Sequence, residues 1–215
     1  MIVGTVAALW GVGSGIVLAR MPHRFTRQTV AMESATAGAG AAALSALVCV
    51  ALAVTTGPRP ELVAWLLLVP PAMLLARIDL AVQRLPDVLT LPLGAGTAVA
   101  LGVAAVLPGH GGSWTRALLG AVVLGAAYFV LLLINPSGLG FGDVKLAPTL
   151  GLVLGWYGWP VLFAGTFAGF VLAAVTGLIL LGIGRAGRKT PIPFGPFMLL
   201  GALGGVLLGA AGAGV

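Results

Sequence analysis

The sequence predicts an all-α protein that crosses a membrane about eight times, with short loops between the helices. Three observations lead there. Sixty per cent of the 215 residues are apolar and only 7% are charged, and the mean hydropathy is +1.14. A soluble domain carries about 25% charged residues, so this composition does not cover a water-facing surface. The apolar residues fall in runs near the ~20 residues that a bilayer core demands of a helix. The alternation of a transmembrane barrel is absent, and open sheet edges find no partners in lipid.

The chain opens on MIVGTVAALWGVGSGIVLA, with no positive charge ahead of its apolar core. That argues against a cleaved signal peptide and for a retained first helix over 2–19. A basic loop, RMPHRFTRQTVAMES, leads to a second helix over 34–56. The third runs over 61–78 and ends at Asp79; the fourth, over 88–107, follows Pro86 and Asp87. A fifth covers 117–135. The sixth, over 145–158, is short and starts just after Asp143. Gly158-Trp159-Pro160 divides it from the seventh, over 160–183, and the eighth covers 195–213. No repeat, long linker or separate soluble unit interrupts residues 1–215, so one transmembrane domain is expected.

Charge placement sets the orientation. With the N-terminus outside, the inner side holds Arg20, Arg24, Arg27, Arg77, Arg84, Lys145, Arg185, Arg188 and Lys189, and the outer side only Arg59 and Arg116. Positive loops stay inside, so an outside N-terminus is expected. The net charge of +6 is then a topology signal and implies no nucleic acid partner. Glycines recur at four-residue spacing, at Gly11 and Gly15, Gly165 and Gly169, and Gly201, Gly205 and Gly209. Such spacing lets helices approach closely in lipid. Cys49 is the single cysteine, which excludes an intrachain disulfide and a cysteine metal cluster; in its apolar run it reads as a packing residue. Nothing in the sequence reports oligomeric state.

Only five residues are acidic: Glu33, Glu61, Asp79, Asp87 and Asp143. Glu33 and Glu61 fall at helix boundaries and read as solvated ends. The three aspartates fall together at the inner face. Asp87 follows Pro86 in the first turn of a helix, where an acid complements the dipole. Asp79 and Asp143 have no such duty, and unpaired acids at membrane depth mark function. Two close carboxylates do not both ionise easily, so one keeps its proton. The ionised one takes a proton from water; the other polarises a peptide carbonyl and later donates to the leaving amine. They titrate as a unit, so base and acid are not assigned. His23 and His110 form no nucleophilic set with a serine or the cysteine. Gly140 and Gly142 flank Phe141 ahead of Asp143, giving room for backbone or substrate and freedom for unusual angles. Lys145 has two readings, as a partner of an aspartate or substrate, or as an interfacial lysine reaching for water.

GFGDVKL resembles the Gly-x-Gly-Asp motif of the type IV prepilin peptidases, which are membrane aspartic proteases. IDLAVQRLPDVLTLPL resembles the family's other motif, an aspartate seven residues before a proline followed by Asp or Asn; here these are Asp79, Pro86 and Asp87. KTPIPFGPFMLLG resembles its Pro-Phe-Gly-Pro loop, at Pro193, Phe194, Gly195 and Pro196, and GSGIVLARMP is similar to its first span. The resemblance covers most of the chain in order. It implies Asp79 and Asp143 as catalytic residues, cleavage of basic leaders from prepilins or pseudopilins at the cytoplasmic membrane face, and no metal or cofactor. The Pro193–Pro196 loop either shapes the site or starts the last helix. Larger members carry a cysteine-bearing insert suited to zinc and methylate the new N-terminus; the short loop after the first helix has no cysteine. A peptidase without methyl transfer is therefore expected. A presenilin-like protease shares Gly-x-Gly-Asp, yet Ile78 rather than tyrosine precedes Asp79. A proton or ion transporter would place its acids near mid-membrane, between repeats.

Overall fold

The computed structural model describes residues 2–20, 35–136, 138–184 and 193–213. Among these residues it forms eight helices: α1 (Ile2–Arg20), α2 (Ala35–Thr56), α3 (Glu61–Val82), α4 (Asp87–Val106), α5 (Trp114–Ile134), α6 (Phe141–Tyr157), α7 (Trp159–Gly182) and α8 (Gly195–Gly212). Six of them, α2, α3, α4, α5, α7 and α8, are long and apolar enough to cross a membrane. The apolar part of α1, Val3–Val17, is shorter, and α6 has 17 residues. Large apolar side chains such as Leu9, Val54, Val106 and Phe167 stand on the outer surface of the bundle, where lipid rather than water satisfies them. The chain is an all-α polytopic membrane protein. The basic loop through residues 21–34, with His23 and Glu33, and the charges Arg185, Arg188 and Lys189 lie outside the described residues.

Helix α6 is the hub. It packs on α4, α5, α7 and α8, and its residues from Asp143 to Trp156 are mostly buried. A short helix suffices because it meets protein on most sides. Gly158, at φ +119°, separates α6 from α7; that backbone region favours glycine, and Pro160 opens the next helix at a position where no amide is needed.

Glycine sets the closest helix contacts. A Cβ at Gly11 would fall 2.5 Å from the Ala46 Cα, and one at Gly15 2.5 Å from the Ala42 Cα, so α1 lies directly on α2. Gly201 packs on the Gly165 carbonyl and Gly209 on Tyr157. The tightest contact is α5 on α6 through Gly120, Gly151 and Gly155, the last two again four residues apart. A Cβ at Gly151 would meet the Gly120 carbonyl and lie 2.7 Å from the Ala121 Cα. Both obstacles are backbone, so Gly151→Val is expected to destabilise the bundle by about 1–3 kcal/mol or more. Thermal unfolding in detergent checks this, and an unchanged midpoint would contradict the contact. Cys49 is fully buried in the core beside Leu52, Trp65 and Leu101.

One acid departs from expectation. Glu61 is not a solvated helix end: it is 0% exposed. The loop between α4 and α5 folds over it, and its Oε1 accepts from the Gly111 amide at 2.9 Å. Beside it Arg59 donates to the Ala210 carbonyl of α8 at 2.9 Å. The loop amide replaces water at one carboxyl oxygen, while Oε2 is buried without a hydrogen-bond partner.

Candidate active site

The end of the bundle opposite Glu61 gathers the three aspartates. Helix α3 continues one turn beyond its expected end, to Val82, so Asp79 lies inside its last turn. Gln83 then adopts a left-handed conformation (φ 52°), and its amide bonds the Asp79 carbonyl at 2.8 Å. Helix α6 starts at Phe141, earlier than expected, which puts Asp143 at its third position. There its Oδ2 reaches back to accept from the Gly140 amide at 3.2 Å. An acid at this position satisfies one of the unpaired donors of a helix start. The α6 start carries a side-chain bond and the α3 end a backbone bond from a left-handed residue, neither of which periodicity reports.

Asp79 and Asp143 are 5% and 6% exposed, and both lie at this end of the bundle. Asp79 is held from α8: its Oδ2 accepts from the Gly195 amide at 2.9 Å. Phe194 caps α8, Gly195 is its first residue, and Pro196 follows at a position where proline is tolerated. The Pro193–Pro196 stretch thus both starts the last helix and seats a carboxylate. A Cβ at Gly195 would lie 2.8 Å from the Asp79 Oδ2, so only glycine leaves that carboxylate in place.

The glycines before Asp143 do one of the two tasks expected of them: they give room for backbone, and they adopt no unusual angles. Gly140 has an ordinary φ of −74°, and neither it nor Gly142 is among the glycines at positive φ. Gly142 instead lets Leu85, in the turn between α3 and α4, come close: a Cβ there would lie 2.9 Å from the Leu85 Cβ. At Gly140 it would lie 3.2 Å from the Asp143 Oδ2. The glycines bring backbone against the acid's seat. They do not supply unusual angles.

Pro86 occupies the cap of α4, with Asp87 the first helical residue. Asp87 pairs with Lys145 of α6 at 2.6 Å, with side-chain exposures of 24% for Lys145 and 54% for Asp87. The Lys145 ammonium also lies over the Phe141 ring, 4.5 Å from its centroid. Lys145 is therefore engaged with Asp87 and Phe141. An exposed pair of this kind contributes ~0–1 kcal/mol.

Tyr128 is the residue that sequence reasoning missed. It is 2% exposed, on α5, in the core cluster with Val144, Leu146 and Ala147 of α6. Its ring packs on Phe170 and Phe194, with centroids 5.7 and 6.3 Å away. The sequence held one signal for it: the chain has only two tyrosines, and this one interrupts an apolar span. Among the described residues there is no group of three or more His, Cys, Asp or Glu placed to hold a metal ion.

A membrane bundle with two buried aspartates at one end, each accepting a hydrogen bond from a backbone amide, defines the class: a polytopic membrane protein with buried acids at one end. The chain belongs to the type IV leader peptidase family, whose profile matches residues 62–182, more than half of the chain and a range that includes Asp79, Asp87 and Asp143. It is similar to the prepilin leader peptidase/N-methyltransferase of Aeromonas hydrophila, 34% identical over 158 residues, covering 73% of this chain and 53% of that protein. The protein of the same description from Stutzerimonas stutzeri is 37% identical over 142 residues, covering 64% and 46%. That of Pseudomonas putida is 33% identical over 167 residues, covering 76% and 56%. The chain thus spans about half the length of the curated relatives it matches. No solved structure is a significant match.

Proposed function

We propose that this chain is a membrane-embedded aspartic endopeptidase, one transmembrane domain, that removes the basic leader of type IV prepilins or pseudopilins. The observation that carries the reading is the pair itself: Asp79 and Asp143, both buried at one end of the bundle and each fixed by one backbone amide. Fixing one oxygen of each carboxylate leaves the other as the working atom. A water between them loses its proton to the ionised carboxylate and attacks the scissile carbonyl, which the protonated one polarises. The proton then passes to the departing amine. A water-excluded pocket strengthens both interactions. The two carboxyls exchange these roles within one coupled titration, and neither is assigned to one of them.

Family membership supports the substrate class. The acids share their end of the bundle with Lys145, and Arg77 and Arg84 flank Asp79 in the sequence; by the positive-inside rule this is the cytoplasmic face of the inner membrane, with the N-terminus outside. The bilayer and the prepilin are the partners this reading requires; it requires no nucleic acid, metal or cofactor. The absence of any cysteine besides Cys49 supports a peptidase without the cysteine-bearing zinc insert, and methyl transfer is not part of the proposal.

The test is co-expression with a prepilin whose leader is resolved by size. Cleavage is expected, and mass analysis of the mature N-terminus is expected to show no added methyl group. A prepilin that stays full length beside the wild-type chain in each of the pilus, secretion and DNA-uptake classes would contradict the reading.

A further inference from the structure

We propose that Tyr128 is a substrate-positioning residue of this site, its hydroxyl donating a hydrogen bond to the substrate carbonyl that the activated water attacks. The proposal rests on the reading of Asp79 and Asp143 as the catalytic pair.

The register of α5 against α6 places Tyr128 at the right level. The two helices run antiparallel: Ala117 faces Gly155, Gly120 faces Gly151, and Gly125 faces Pro148. Continued one turn, that register sets Tyr128 opposite the stretch from Asp143 to Lys145. On its other side the Tyr128 ring touches Phe194, the residue before the Gly195 amide that seats Asp79. Tyr128 therefore stands between the supports of the two aspartates, on a third helix, with its ring fixed by Phe170 and Phe194, which also pack on each other at 5.0 Å.

The chemistry has a place for such a group. A tyrosine side chain is apolar in its ring and polar at its tip, so a buried one can offer a hydrogen bond to a ligand from a fixed position. The acid pair shares one proton, so it offers one donor to a carbonyl oxygen that gains charge and accepts two. A neutral phenol supplies the second without adding a charge to an apolar site, and a donor fixed in advance contributes most as the charge develops.

Tyr128→Phe separates the hydroxyl from the ring. The variant keeps the contacts to Phe170 and Phe194, so its unfolding midpoint is expected to match the wild type. Turnover of a synthetic peptide with a basic leader, a glycine at the cut and an apolar segment, in detergent with the full chain, is expected to fall about 10–100-fold in kcat with KM little changed. Tyr128→Ala, which also removes the ring, is expected to lower the midpoint as well. Wild-type kcat in Tyr128→Phe would overturn the proposal, and so would a loss that follows the midpoint rather than the hydroxyl. Asp143→Asn in the same assay keeps the two readings apart. If it is inactive while Tyr128→Phe runs at the wild-type rate, the tyrosine proposal alone fails. If it turns over normally, the acid pair and the tyrosine proposal fail together.

Discussion

Replacing either Asp79 or Asp143 by alanine is expected to abolish leader cleavage, and replacing Asp87 is expected to leave it. General acid–base groups contribute about 10²–10⁴-fold each. Two carboxylates that work as one unit are not additive, so the double variant is expected to be no worse than either single one. The contrast with Asp87 is the informative part. All three acids lie at the same end of the bundle, yet Asp87 is 54% exposed and committed to Lys145, while Asp79 and Asp143 are buried and committed to backbone amides. Losing a buried acceptor leaves the Gly195 or Gly140 amide unpaired, at about 1–3 kcal/mol. Asparagine variants keep an acceptor oxygen, so they separate lost chemistry from lost stability. The fraction of prepilin processed in cells, with the membrane level of each variant, is the measurement.

Gly195→Ala is the second large effect expected. The new methyl group would lie 2.8 Å from the Asp79 Oδ2 and 3.2 Å from its Cγ. The carboxylate must then leave the amide that orients it. Misplacing a catalytic group by about 1 Å costs up to ~10²-fold, so kcat is expected to fall by about that factor while most of the fold survives. Gly204, in the same helix, has open space beside it: a Cβ there would meet nothing within 4 Å. Gly204→Ala is therefore the matched control, with wild-type activity expected. Equal turnover by the two variants would contradict the seat that α8 provides for Asp79.

The helices were legible because lipid imposes length and apolarity on each span, and the charges in the sequence mark their ends. Gly158 was legible as a break because a glycine and a proline flank one tryptophan there. The site was legible as a set of residues, since five acids in 215 residues leave few choices. Its geometry was not. The seat of the Asp79 carboxylate is an amide 116 residues away on α8. That Gly142 admits Leu85, and that Lys145 meets Asp87, depends on how α4 and its preceding turn cross α6. Glu61 is buried by a loop whose path no periodicity encodes. Tyr128 carries no motif; only the packing of α5 on α6 brings it to the acids.

The central claim is that Asp79, in the last turn of α3, and Asp143, in the first turn of α6, work as one pair. Cysteine cross-linking in native membranes tests it most directly. In a Cys49→Ala chain carrying Asp79→Cys and Asp143→Cys, with a protease site placed in the loop between α4 and α5, a short bifunctional thiol reagent is predicted to hold the two halves together after proteolysis. Halves that separate although both thiols have reacted would contradict the pair.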